Sequence, residues 1–220
     1  HPVERGGALV LSAEDDEAEL HRRLSIITKA EGLDFFDLQW LTVRSLAGED
    51  ALLALEGPLG LIPSPLFREL EERVSEERPA LVLIDTAADV FPANENERAK
   101  VRQFIGFLRG LAIRFQCAVV LLSHPSVAGM ANGSGISGST AWNGSVRSRL
   151  YLSRVIADGY EADPNARVLA NKKNNYGPTG FEINLNWADG VFAAEERETG
   201  LDRMAASAKA ERVFLKLLRT

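Results

Sequence analysis

The chain has 220 residues, 45% hydrophobic and 25% charged, with 31 acidic and 25 basic side chains and a net charge of −6. That is enough apolar material for the core of one domain with a short appendage. The acidic balance excludes a uniformly basic nucleic-acid binder while leaving room for a local basic surface. The single cysteine, Cys117, excludes an intramolecular disulfide and a cysteine-rich zinc site. No apolar run approaches the roughly 20 residues needed to span a bilayer, so the expectation is a cytoplasmic protein with no membrane partner.

In chain order, Ala8 to Ala13 reads as a short apolar strand. It ends at the acidic cluster Glu14-Asp15-Asp16-Glu17, where Ser12 or Asp15 is placed to cap a helix running to about Lys29. Phe35 to Val43 is aromatic-rich and strand-like. Arg44 to Pro65, broken by Gly-Pro and Pro-Ser-Pro, reads as loop. Leu66 to Glu77 has helical spacing and leads into Pro79-Ala80-Leu81-Val82-Leu83-Ile84-Asp85-Thr86, a buried parallel strand with a carboxylate at its tip. Glu95 to Phe115 is a long helix with Val101, Ile105, Leu108, Leu111 and Ala112 on one face. Ala118 to Leu122 is another apolar strand, and its tip is Ser123-His124. This β-α-β order predicts a parallel sheet covered on both faces.

The character changes after His124. Pro125 to Ser145 is dominated by Gly, Ser, Ala and Asn and reads as a mobile loop. Arg149 to Val155, Arg167 to Lys173 and Phe181 to Trp187 read as three strands. Their connections are too short for crossover helices and therefore antiparallel, with a further turn at Asp189-Gly190. Leu201 to Leu218 is Ala-rich and helical. The domain expectation is a core over residues 1–195, followed by a linker and C-terminal helix over 196–220 that could begin a further domain.

Three strand tips in the α/β part carry polar groups: Glu14, Asp85 and Ser123-His124. In open parallel sheets a ligand sits beyond the carboxyl ends of the strands, and an acid at the tip of a buried strand suits a metal-bound nucleotide. Taken singly, each is equally a solvated strand end. The loop that usually cradles phosphates, G-x-x-x-x-G-K-[ST], is absent, and the sequence has no Gly-Lys pair at all.

The order of Ser-Ala-Glu-Asp-Asp, Leu-Ile-Asp-Thr, Leu-Leu-Ser-His-Pro-Ser, a Gly/Ser-rich loop, Ser-Val-Arg-Ser-Arg-Leu-Tyr-Leu-Ser and Asn-Lys-Lys-Asn-Asn-Tyr-Gly-Pro spans about residues 8 to 192. In this order the chain resembles the RecA-like P-loop ATPases of the RepA-type hexameric replicative helicases. The resemblance implies an α/β fold: a RecA-like parallel (mixed) sheet flanked by helices, with an antiparallel C-terminal strand extension. It implies ATP and Mg²⁺ as cofactors. Glu14 would be the carboxylate that orients and deprotonates the attacking water. Asp85 would hold Mg²⁺ through water, with Thr86 beside it. His124 or Ser123 would sense the γ-phosphate; the family relative has paired histidines there, so the choice between the two stays open.

The same resemblance gives Arg147 and Lys173 a role in trans, stabilising charge on a neighbouring subunit's nucleotide. Arg149 and Lys172 stand beside them as alternatives, and ordinary exposed charges are the plain reading. Such a role requires a homo-oligomer, most simply a ring. Gly133, Ser134, Gly135 and Trp142 would contact single-stranded DNA, although Pro125 to Ser145 contains no Lys or Arg and reads equally as a plain connector. The implied function is an ATP-dependent DNA-processing motor coupling hydrolysis to translocation or unwinding. For the missing loop, the expectation is a fragment lacking its upstream phosphate-binding unit; a degenerate module that binds DNA or protein without hydrolysis is the alternative. A non-ATPase site in which Glu14, Asp85 and His124 hold a metal or exchange protons stays open as well.

Overall fold

The computed structural model describes residues 6–195, apart from 132, 136–138 and 157–158. The C-terminal helix expected over Leu201 to Leu218 lies outside the described residues. Strand β1 (Ala8–Ser12) leads into helix α1 (Glu17–Ala30), which is capped by Asp16: its carboxylate accepts the Glu19 backbone N–H at 2.8 Å. The cap is thus neither Ser12 nor Asp15, because the chain leaving β1 needs several residues to turn. The strand expected over Phe35 to Val43 is split. Asp34 and Asp37 close a reciprocal capping box around a 3-10 turn at Phe35–Leu38, and extended structure begins only at β2 (Leu41–Ser45).

Where the sequence suggests a loop from Arg44 to Pro65, the chain forms a hairpin of β3 (Ala54–Gly57) and β4 (Gly60–Pro63). Its Gly-Pro break is the hairpin turn, and Leu53, Ala54 and Leu61 are buried beside it. Helix α2 (Pro65–Glu77) starts at a Ser64 cap with Pro65 in the first helical position, and buries Phe67, Leu70 and Val74. Then follow β5 (Leu81–Asp85), the short α3 (Ala87–Val90), the long α4 (Arg98–Phe115) and β6 (Ala118–Leu121). The stretch read as a mobile loop contains two short helices, α5 (Val127–Ala131) and α6 (Thr140–Ser145). The chain continues through β7 (Ser148–Arg154), β8 (Ala166–Asn174), β9 (Glu182–Ala188) and β10 (Val191–Ala194), one strand more than the sequence suggests.

The first sheet is parallel, in the order β2-β1-β5-β6. Leu9, Leu11, Val82 and Ile84 on its buried side join Phe67, Leu70 and Val74 of α2 and Val101, Phe104, Leu108 and Leu111 of α4 in one apolar cluster. The second sheet is antiparallel, β10-β9-β8-β7. Trp142 of α6 packs edge-on against Phe91 at 5.2 Å and Phe104 at 6.4 Å between ring centroids, which anchors α6 to the core through aromatic contact. This is why a segment of polar composition folds: one large side chain and the buried Ala141 fix it.

Candidate active site

The register of the parallel sheet sets the site. Ser12 pairs with Asp85 and Ile84 with Leu121, so the carboxyl ends of β1, β5 and β6 are level. Backbone bonds tie the three exits together: Ala13 N–H to Asp85 O at 2.6 Å, Leu122 N–H to Ile84 O at 2.9 Å, and Ala87 N–H to Leu122 O at 2.8 Å. Glu14 and His124, far apart in sequence, meet here, with Nε2 of His124 3.0 Å from Oε1 of Glu14. Both side chains are open to solvent, 46% exposed for Glu14 and 73% for His124, so the pair forms the mouth of the site and Asp85 its half-buried floor.

Burial above all pushes the Asp85 carboxyl above its ordinary range, and the negative charges of Glu14 and Asp15 add to the rise against smaller lowering by His124 and Arg23. Asp15 belongs to this acidic tip and is held by Arg23 at 2.7 Å. That pair escapes sequence reasoning, because only the turn between β1 and α1 brings the two together. A half-buried carboxylate whose ionisation is resisted in this way gains from a divalent cation. Mg²⁺ takes one or two protein carboxylates and completes its shell with water and phosphate oxygens, so Asp85 fits it. Among the described residues no group of three His, Cys, Asp or Glu side chains is disposed to hold a metal by itself. This removes the alternative of a self-sufficient metal centre made from Glu14, Asp85 and His124.

The other expected site residues fall into two groups. Thr86 is buried, its hydroxyl donating to Asp89 Oδ2 at 2.9 Å and accepting the Ala88 N–H at 3.3 Å, so it caps α3 instead of facing the mouth. Ser123 is exposed at the β6 tip beside His124, and its hydroxyl donates to the His124 carbonyl at 3.4 Å. Arg147 is exposed, with no side-chain partner among the described residues. Lys173 is committed elsewhere: its ammonium donates to the carbonyls of Asn143 at 2.6 Å, Gly144 at 3.3 Å and Val146 at 2.8 Å. It thereby satisfies the C-terminal end of α6, where unpaired carbonyls and the helix dipole favour a cation. Arg149 is likewise occupied, donating to Asn143 Oδ1 and to the carbonyls of Ser134 and Gly135.

Those contacts also locate the loop residues expected at DNA. Ser134 and Gly135 lie on β7, held by Arg149. Gly135 has φ +62, and a Cβ there would stand 2.4 Å from the Tyr151 ring, so glycine is required for this approach. Gly133 is exposed. Trp142, read from sequence as a stacking platform, is committed to the core against Phe91 and Phe104.

A parallel sheet with two acids and a histidine gathered at its carboxyl ends, extended by antiparallel strands, defines a RecA-like ATPase core. The family model described as "AAA domain" matches residues 1–130, which include all three strand tips, and the chain belongs to that family. The solved ATPase domain of a helicase shares the fold with a TM-score of 0.62 at 17% identity, over 86% of this chain and 75% of that one. The RadB recombinase does so with a TM-score of 0.58 at 16% identity, over 87% and 80%. No curated protein sequence matches the chain. None of the described helices is long and apolar enough to cross a membrane.

Proposed function

We propose that this chain is the catalytic and coupling part of an ATP-dependent DNA-processing motor of the cytoplasm, acting as a ring of identical subunits. The observation that carries the reading is the convergence of Glu14, Asp85 and His124 on one level edge of the parallel sheet. Asp85 would hold Mg²⁺, which when bound neutralises charge on the transferred phosphoryl group. Glu14, open to solvent, would orient a water molecule and take its proton. His124 shares a hydrogen bond with Glu14 and begins the segment that leads through α5 and α6 to β7, so a change in that bond is placed to move the segment. Arg147, exposed and unpartnered among the described residues, is the cation best placed to serve a neighbouring subunit, whereas Lys173 is held by α6. The likeness to a recombinase supports a DNA-processing role for the fold.

The phosphate-binding unit belongs, in this reading, along β6. Among the described residues β6 pairs only with β5, and its free edge leaves Val120 and Leu122 each 40% exposed. Exposed apolar residues and unpaired backbone groups on a parallel strand mark a position for another strand. A parallel strand seated there would end beside Ser123-His124, bringing a following Gly-Lys loop to the same edge as Asp85. The test is an upstream-extended chain carrying that loop. Glu14→Gln should lower ATP turnover at least a hundredfold with ATP binding kept, measured by steady-state hydrolysis and nucleotide titration. Unchanged hydrolysis sinks the role of Glu14, and absence of ATP binding leaves a non-hydrolysing module.

A further inference from the structure

A second charged feature lies away from the strand tips. Arg98, Arg102 and Arg109 stand at i, i+4 and i+11 along α4, which places them in one stripe on the helix with Ile105 between them. The stripe borders a groove of about 320 Å³ whose other wall is α6, through Thr140, Ala141, Gly144 and Ser145, with Arg147 at its rim. All four arginines are exposed, and none has a side-chain ion pair or hydrogen bond to another described residue. Most other arginines in this acidic chain are engaged: Arg22 and Arg23 with Glu19, Arg44 with Glu69, Arg114 with Glu71, and Arg154 and Arg167 with Glu161. Like charges one turn apart on a helix repel. The fold holds three on one face, with no acid paired to them among the described residues, at a cost that an outside anion would offset.

We infer that Arg98, Arg102 and Arg109, with Arg147 at the rim, form a groove that binds the phosphate backbone of single-stranded nucleic acid, separate from the Glu14, Asp85 and His124 site. The helix rise sets Arg98 and Arg102 about 6 Å apart along the axis and Arg109 about 10 Å beyond. That is a linear array suited to successive phosphates. Guanidinium forks match phosphate oxygens in pairs. The lining contains no aromatic residue and only Ile105 and Ala141 as apolar surface, so it offers neither a base-stacking platform nor the side-chain pockets by which an acidic peptide is recognised. Binding is therefore through the backbone and indifferent to base sequence. The groove also supplies the cations that the segment from Pro125 to Ser145 lacks. Nucleic acid as the polyanion rests on the function proposed above, but the test needs no ATP hydrolysis, so the two fail separately.

The experiment is fluorescence anisotropy of this chain with labelled oligo-dT and oligo-dA over a range of salt. The wild type is compared with R98A/R102A/R109A, and Arg68→Ala, an exposed arginine on α2, serves as control. The expected result is equal binding of both oligonucleotides and at least a tenfold loss of affinity in the triple variant. The slope of log affinity against log salt should shrink by about 0.7 for each arginine removed, with an unchanged melting temperature and no effect of Arg68→Ala. Undiminished binding by the triple variant, or no binding by the wild type at low salt, overturns the groove. So does displacement by polyglutamate at equal charge concentration. If millimolar ATP displaces the oligonucleotide from the wild type at equal charge concentration, the groove is a nucleotide site and the backbone assignment is wrong.

Discussion

The two sheets of this molecule are stabilised by different means. The parallel sheet is built around fully buried side chains, with Leu9, Val82, Ile84, Phe104 and Leu111 at most 1% exposed. The antiparallel sheet leaves Leu150, Leu152, Ile183, Trp187 and Phe192 open. It is tied to the rest by a few polar bonds, chiefly Lys173 and Arg149 to α6 and the adjoining loop, and by the turn at Gly190, whose backbone lies close against Ile26 of α1. Burial of apolar surface scales with area and needs no particular geometry, whereas charged donors on backbone carbonyls work only when the segments are in register. The first half therefore holds the site rigidly. The second can shift by exchanging a small number of bonds, which suits a region meant to report on what happens at the strand tips.

Three measurements would break or sharpen this contrast. The largest effect is expected for Phe104→Ala, which empties the centre of the parallel half and should cost about 3–5 kcal/mol in chemical denaturation. Trp187→Ala, on the open face of β9, should cost at most about 1 kcal/mol; equal losses would show that both sheets depend on burial alike. Lys173→Met should fall between them, at about 2 kcal/mol for removing a charged donor from three carbonyls. Hydrogen exchange should quicken in α6 and β7 while β1 and β5 stay protected; uniform quickening would mean that the two halves open together.

The smallest effect concerns Asp85→Asn. Because the folded carboxyl titrates above its ordinary value of 3.8, the folded state favours the protonated form. Its contribution to stability is complete below that value and is lost as pH rises through the folded pKa. The variant, neutral throughout, should melt a few degrees higher than wild type at neutral pH, with the gap closing toward pH 3.8. Mg²⁺ should raise the melting temperature of wild type but not of the variant. A gap independent of pH would mean that Asp85 does not feel its acidic neighbours.

Much of the first half was legible from sequence because local pattern and global fold agree there. Leu81 to Asp85 is an apolar run closed by an acid, and a buried parallel strand has few other ways to end. The elements that escaped are those decided by a single side chain or by partners distant in sequence. Asp34 and Asp37 turn the beginning of an aromatic strand into a 3-10 turn, and Trp142 makes a helix of what composition gives as loop. Ala54 and Leu61 let a Gly-Pro break become a hairpin. The fates of the cations were hidden for the same reason. Arg147, Arg149 and Lys173 look alike in sequence, yet two are consumed by carbonyls of α6 and its loop while the third has no partner among the described residues.

The sequence by itself determined the alternation of strands and helices, the acidic and polar tips at Glu14, Asp85 and His124, and the absence of a Gly-Lys loop, because hydrophobic periodicity and residue chemistry are local properties. Only the tertiary structure decided that Glu14 and His124 touch, that Asp85 is half-buried among acids, that Lys173 serves a helix end, and that three arginines of α4 face α6 across one groove. These depend on strand register and helix packing, which are set by contacts between residues far apart in the chain.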